Sequence, residues 1–189
     1  MHFWNGLERE NSEAKRMLTY SYPNCAGEPM NNITVDTNPL VYIYHSVPEL
    51  GRSYASILGE LSIKNTLLIP KIVYGELSLI FQKVNELNAF LKDTGIVIGE
   101  MTPKAYITAA NRWQKYNRNR VLMCQRCGMR LGKLSCDKCK SEIKIRQHIL
   151  TDFIIGALAL ETKEQSLVTH DSGYFSTYFP ELKIISSHQ

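Results

Sequence analysis

Short runs of β-branched and aliphatic residues alternate along the chain with longer stretches in which apolar positions recur every three or four residues. The first pattern predicts strands and the second amphipathic helices. Residues 33–35 predict a first strand, ended by Asp36-Thr37-Asn38-Pro39. A helix opens over 40–44, and Pro39 suits its first turn, where a missing N–H costs nothing. Residues 53–62 predict another helix, and 66–69 a second strand ended by Pro70. The apolar period then runs unbroken over 71–91 and predicts one long helix. Residues 95–98 predict a third strand. A helix over 103–117 follows, with Tyr106, Ala109, Ala110 and Trp113 on one inward face, which makes Trp113 core in preference to a base-stacking platform. Thr151 is expected to cap an apolar helix over 152–161. Residues 166–169 predict a fourth strand, ended by Asp171-Ser172-Gly173, and 182–185 a fifth. Residues 1–29 are polar and mixed, with a weak helical stretch over 8–18 and a loop at 20–24; Met30 opens the better patterned part and is a candidate alternative start.

Strands that alternate with helices argue an α/β fold with a parallel sheet and helices on both faces, because parallel neighbours need crossover connections. In such sheets, sites form at the carboxyl ends of the strands.

Composition adds exclusions. With 44% hydrophobic and 21% charged residues over 189 positions, the chain is globular. Its longest clean apolar run, 153–160, has eight residues. A membrane span needs roughly 20, so none is expected. The N-terminus lacks a basic start followed by an apolar run, so a cytoplasmic protein is expected and the Asn32-Ile33-Thr34 sequon carries little weight. The charge is unevenly placed. Residues 104–146 hold 12 Lys/Arg against Asp137 and Glu142, a net +10, while the remaining 10 bases and 16 acids give −6. A basic segment on an acidic body is the footprint of a polyanion binder, although a solvated basic face without a partner has the same charge.

Four of the five cysteines fall in that segment. Cys124, Cys127, Cys136 and Cys139 read C-x2-C-x8-C-x2-C, and Cys25 stands apart. Two such pairs supply the tetrahedral thiolate set that structural Zn²⁺ takes, with iron–sulfur or redox chemistry as the alternative. Gly128 supplies the positive φ that a metal knuckle demands. All four positions would be filled by protein, so the zinc is structural, and a module this small needs the metal to hold its shape. Arg126, Arg130, Lys133, Lys138 and Lys140 exceed the −2 charge of such a centre, which leaves some to meet phosphates. Gly128 to Lys133 is too short, and lacks the following Ser or Thr, to be a phosphate loop.

Four carboxylates fall at element ends. Asp36 ends the first strand, Asp171 the fourth; Asp152 opens a helix, and Glu76 lies in the first turns after the second strand. Each also has a local reading: Asp36 as a helix cap, Asp152 as a first-turn acid favoured by the helix dipole, Asp171 as a turn acid before Gly173. Glu76, flanked by Val73, Tyr74 and Leu77, fits a surface role least.

Val35-Asp36-Thr37-Asn38, the helix acid Glu76, the run from Asp152 to Ala159, and Thr169-His170-Asp171 with Tyr174-Phe175 together resemble the PIN-domain nucleases, including the VapC toxins of toxin–antitoxin pairs. The acids are spaced by 40, 76 and 19 residues, and the zinc module accounts for the long middle interval. Many family members carry no inserted ribbon, and Pro39 is an uncommon variation. The resemblance implies a three-layer α/β/α PIN-like fold: an N-terminal extension over 1–29, the nuclease in two parts over 30–120 and 145–189, and a zinc ribbon over 121–144. It implies a Mg²⁺- or Mn²⁺-dependent endoribonuclease whose metal ions are held by Asp36, Glu76, Asp152 and Asp171, with Asn38 and Thr169 in support. A homodimer and a cognate antitoxin partner are implied in the same way.

Elementary electrostatics supports such a site. Neighbouring carboxylates repel, a hard divalent ion relieves the repulsion, and Mg²⁺ retains waters that can attack phosphorus. Neither His148 nor His170 is placed in a catalytic triad; both read as structural or substrate-lining. The expected grip on RNA is Arg112, Lys115 and Arg118 on the helix, Arg130 and Lys133 on the ribbon, and Arg146 before Asp152. A toxin-type ribonuclease is the first reading. An RNA-processing nuclease akin to ribosome-maturation enzymes is the second, and a non-catalytic zinc-ribbon RNA-binding module the third.

Overall fold

A computed structural model of the chain describes residues 31–118, 121–132, 134–143 and 147–187. Its elements are β1 (Asn31–Val35), α1 (Thr37–Tyr44), α2 (Leu50–Ser62), β2 (Asn65–Pro70), α3 (Lys71–Ser78), α4 (Val84–Asp93), β3 (Ile96–Gly99), α5 (Pro103–Arg118), β4 (Leu134–Ser135), β5 (Glu142–Ile143), α6 (Leu150–Glu161), β6 (Ser166–Val168), α7 (Ser172–Tyr178) and β7 (Lys183–Ile185). The readings made for residues 1–29, and for Lys133 and Arg146, fall outside the described residues.

Five strands form one wholly parallel sheet in the order β3-β2-β1-β6-β7. On central β1, Thr34 pairs with Leu68 on one side and Leu167 on the other. Ile33, Thr34 and Val35 are all buried, as expected of a strand covered on both faces. The core runs through Val35, Leu40, Leu67, Ile69, Val73, Leu77, Leu87, Phe153 and Leu167, all with no exposed surface. By the usual coefficient of about 25 cal/mol per Å², each such side chain contributes about 1.5–3 kcal/mol. No described helix is long and apolar enough to cross a membrane.

The single helix expected over 71–91 is two. After α3, Ile80 and Phe81 both donate to the Leu77 carbonyl, and the chain turns. That turn brings Phe81 inside, with its ring 3.9 Å from that of Tyr44 and 5.3 Å from that of Phe90. A straight helix of that length would span about 31 Å, past the end of a six-residue strand of about 20 Å. Breaking it returns Leu87 and Leu91 to the core.

The inward face of α5 is also displaced from expectation. Ala105, Ala109 and Tyr116 are buried and Trp113 packs against the core, but Tyr106 and Ala110 are exposed. Tyr116 can enter because its hydroxyl oxygen accepts the backbone N–H groups of Gln147 and His148. Helix α6 begins at Leu150, one turn-position ahead of the expected Thr151 cap; Ile149 is its N-cap, and Asp152 sits third in the helix. Helix α7 was not expected. Its Tyr174 and Tyr178 join Tyr116, Phe153 and Phe179 in an aromatic cluster that packs it against α5 and α6.

Candidate active site

The sheet order reverses between β1 and β6, and Asp36 stands at that reversal. Its N–H donates to the Val168 carbonyl at 2.9 Å, which fixes its backbone to the neighbouring strand end. One carboxylate oxygen accepts the Thr37 N–H at 2.7 Å, so Asp36 does cap α1. The other accepts the Thr169 hydroxyl at 2.7 Å.

Three consecutive side chains reach two other parts of the chain, the β6–α7 connection and α3. Asp36 meets Thr169 after β6. The Thr37 hydroxyl donates to Glu76 Oε2 of α3 at 2.5 Å. Asn38 Nδ2 lies 3.5 Å from Asp171 Oδ2, and the Asp171 N–H donates to Thr169 Oγ1 at 3.1 Å. Asp152 enters from α6, where its Oδ2 accepts the Ile149 N–H at 2.8 Å and lies 3.5 Å from His148 Nδ1.

The four acids share one field. Burial pushes the Asp36 carboxyl up to about 7, and the charges on Asp152 and Asp171 add to that rise. Glu76 is raised by burial and then by Asp152, against the Thr37 hydrogen bond that lowers it. Asp171 is raised by burial and by Asp152, while His148 and His170 lower it. Asp152 thus acts on all three partners.

Among the described residues, no three His, Cys, Asp or Glu side chains converge at ligating distance. The carboxylates act on one another through their charges without forming a closed three-ligand group. That arrangement suits Mg²⁺, which commonly binds through one or two carboxylates and keeps its waters. A carboxyl whose proton affinity is raised first by burial and then by neighbouring charges is the chemistry a hard cation would relieve, so these residues fit the group.

The inserted segment contains two turns of the same design. In the first, Cys124 N–H donates to the Met129 carbonyl and Gly128 N–H to the Cys124 carbonyl. In the second, Cys136 N–H donates to Ser141 and Lys140 N–H to Cys136. Gly128 has φ +72° and Lys140 φ +59°, so the fifth residue of each turn is left-handed. The Cys124 thiol is held below its ordinary value by the N–H groups of Cys127 and Arg126. The Cys139 thiol is brought down to about 7, chiefly by the Ser141 hydroxyl 3.0 Å away. All four thiols are free. Among the described residues the four thiols do not gather at one point; the Cys127 side chain also lowers Cys124, and the Cys136 side chain Cys139. One thiol in each turn, Cys124 and Cys139, is lowered, which fits a thiophilic ion once the two turns close.

The chain matches no family model and no curated protein by sequence. By structure it is similar to the crystal structure of VapBC2 from Rickettsia felis bound to a DNA fragment from their promoter. The TM-score is 0.52 at 18% identity, over 82% of this chain and 98% of that one. The fold is PIN-like. Within the PIN-like body, Asp36 and Asp171 follow the carboxyl ends of β1 and β6, where the strand order reverses, and Glu76 and Asp152 act there from α3 and α6.

The residues of the expected RNA grip fall into two groups. Lys115, Arg118 and Arg130 are exposed, and the Arg130 charge acts on Tyr178 of α7. Arg112 turns instead to the protein. Its guanidinium makes a two-pronged pair with Glu181, donates to the Tyr178 carbonyl at 2.6 Å and lies 4.7 Å from the Phe179 ring centre. It ties α5 to the segment after α7 and is committed there.

Sequence reasoning missed Thr37 as the partner of Glu76, and the placement of His148. The latter is buried, stacked 3.5 Å from the Tyr174 ring and within reach of Asp152. Its place four residues before Asp152 was the available signal. Tyr54 was missed as well; its hydroxyl donates to the Thr169 carbonyl and meets His170 Nδ1 at 3.2 Å.

Proposed function

We propose that this protein is a metal-dependent endoribonuclease of the VapC type. The observation that carries the reading is the electrostatic coupling of Asp36, Glu76 and Asp171 to Asp152 at the reversal of strand order. Asp36, Glu76, Asp152 and Asp171 would hold one or two Mg²⁺ or Mn²⁺ ions. When bound, such an ion supplies an activated water and neutralises charge on the phosphoryl oxygens. Thr169, Thr37 and Asn38 orient the carboxylates through hydrogen bonds to Asp36, to Asp36 and Glu76, and to Asp171 respectively. His148 stands with Nδ1 3.5 Å from Asp152 Oδ2, and its stack on Tyr174 holds the ring beside that carboxylate. Zn²⁺ would be held by Cys124, Cys127, Cys136 and Cys139, and Lys115, Arg118 and Arg130 would hold the RNA backbone. The structural likeness to VapBC2 supports an antitoxin partner.

The test is cleavage of purified RNA by the wild type and by Asp152→Asn, each with Mn²⁺ and with EDTA. Cutting by the wild type with Mn²⁺ only, lost in the variant, is expected. A variant that cuts as well as the wild type sinks the four-carboxylate site. Growth arrest on expression, relieved by a neighbouring gene product, tests the toxin role.

A further inference from the structure

The first cysteine turn is gripped from two sides. On one side, Gln147 Oε1 accepts the Met123 N–H at 2.7 Å and Gln147 Nε2 donates to the Met123 carbonyl at 2.8 Å. Gln147 adjoins His148, whose imidazole reaches Asp152. On the other side, Gly173 N–H donates to the Gln125 carbonyl at 2.8 Å and the Ser172 hydroxyl to the Arg126 carbonyl at 3.0 Å. Ser172 and Gly173 directly follow Asp171. The approach leaves no room for a side chain. A Cβ on Gly173 would stand 2.2 Å from the Gly128 nitrogen, 2.8 Å from the Gln125 oxygen and 2.9 Å from the Cys124 oxygen. All three are backbone atoms and cannot swing away. The turn is wedged between the segment that leads to Asp152 and the segment that follows Asp171.

A turn of this size with two thiols has no apolar core of its own, so its shape depends on what its sulfurs hold. We propose that the turn over 124–128 is a positioning element for the carboxylate site. Zinc held by its cysteines fixes the Asp152 and Asp171 segments, so that the ribbon ion and the site ion bind cooperatively. This rests on the two metal assignments proposed above. By linkage the coupling is reciprocal: the site ion tightens zinc as much as zinc tightens the site ion. Gly173, Gln147 and Ser172 act through Asp171 and Asp152 and are positioning residues.

The experiment uses the full chain, stripped of metal and then given one equivalent of Zn²⁺ or none. Mn²⁺ affinity is read from the free-ion electron paramagnetic resonance signal. Amide exchange is followed over residues 169–178. Zinc is expected to tighten Mn²⁺ binding about tenfold and to protect the Gly173 amide, a typical size for coupled sites. Gly173→Ala is expected to keep wild-type zinc stoichiometry yet bind Mn²⁺ as weakly as zinc-free protein. Its kcat should fall about tenfold with KM for RNA unchanged, the size seen when groups that orient a metal site are lost. Should Gly173→Ala fail to fold, Gln147→Ala decides; it adds no volume and should weaken Mn²⁺ in the same direction, by about threefold. Mn²⁺ affinity indifferent to zinc and unchanged in the folded variants overturns the coupling alone. Wild-type protein that binds no Mn²⁺ overturns the metal assignment and the coupling together.

Discussion

The Thr169 hydroxyl donates to Asp36 Oδ2 at 2.7 Å across the junction of β1 and β6, and both residues are buried. A buried carboxylate stripped of a donor keeps the full cost of its lost hydration. Thr169→Val should therefore destabilise the fold by about 1–3 kcal/mol at pH 8, where Asp36 is charged. At pH 5 the loss should be smaller. Urea unfolding at the two pH values checks this.

Stability of the metal-free protein should fall as pH rises. Asp36 holds its proton up to about 7 in the folded chain, against 3.8 for the ordinary carboxyl. The folded state therefore binds more protons between those values. The stabilisation is complete below the unfolded value and is lost as pH rises through 7. Glu76 and Asp171 are raised too and act with the same sign. The Asp36 contribution is on the order of 4 kcal/mol between pH 4 and 8. Asp36→Asn should flatten the profile measured in Mg²⁺- and Mn²⁺-free buffer; an unchanged slope would place the titration elsewhere.

Because the Asp152 charge raises three neighbours, Asp152→Asn should lower the titration midpoints of Asp36, Glu76 and Asp171 together. Carboxyl carbon chemical shifts followed against pH would report this, independently of any cleavage assay.

Arg112→Ala should reduce stability by about 1–3 kcal/mol, through its charge-assisted bonds and its contact with Phe179. The salt dependence of RNA binding should not move. Charge reversal at Arg130, in contrast, should flatten it. Binding titrations at several salt concentrations separate the two residues.

Lys140 occupies the left-handed position that Gly128 holds in the other turn. Lys140→Gly should relieve about 1 kcal/mol of strain and tighten zinc about fivefold, as read by competition with a chromophoric chelator.

Much of this was legible in the sequence. The strand–helix alternation gave the parallel sheet because each pattern has its own period, and the acids could be named because chain breaks after strands mark carboxyl ends. The break inside 71–91 was hidden because both halves keep the same apolar period; only the place of Phe81 beside Tyr44 and Phe90 decides it. Helix α7 was hidden by its aromatic and small residues, which pattern weakly over seven positions. The tasks of Thr37 and Arg112 depend on partners 39 and 69 positions away, which no local spacing reveals. The left-handed Lys140 lacks the glycine that would have announced it.

Both bonds from the Gln147 amide go to Met123, so the chain leaves the body and returns to it through one doorway. What hangs from such a doorway can lengthen at little cost, about 0.6 kcal/mol for each doubling of a flexible loop. A lineage could acquire, trade or shed the cysteine segment there with the five-stranded sheet left intact. The piece it would then have to replace is small: a wedge that Gly173 leaves room for, beside the loop that carries Asp171.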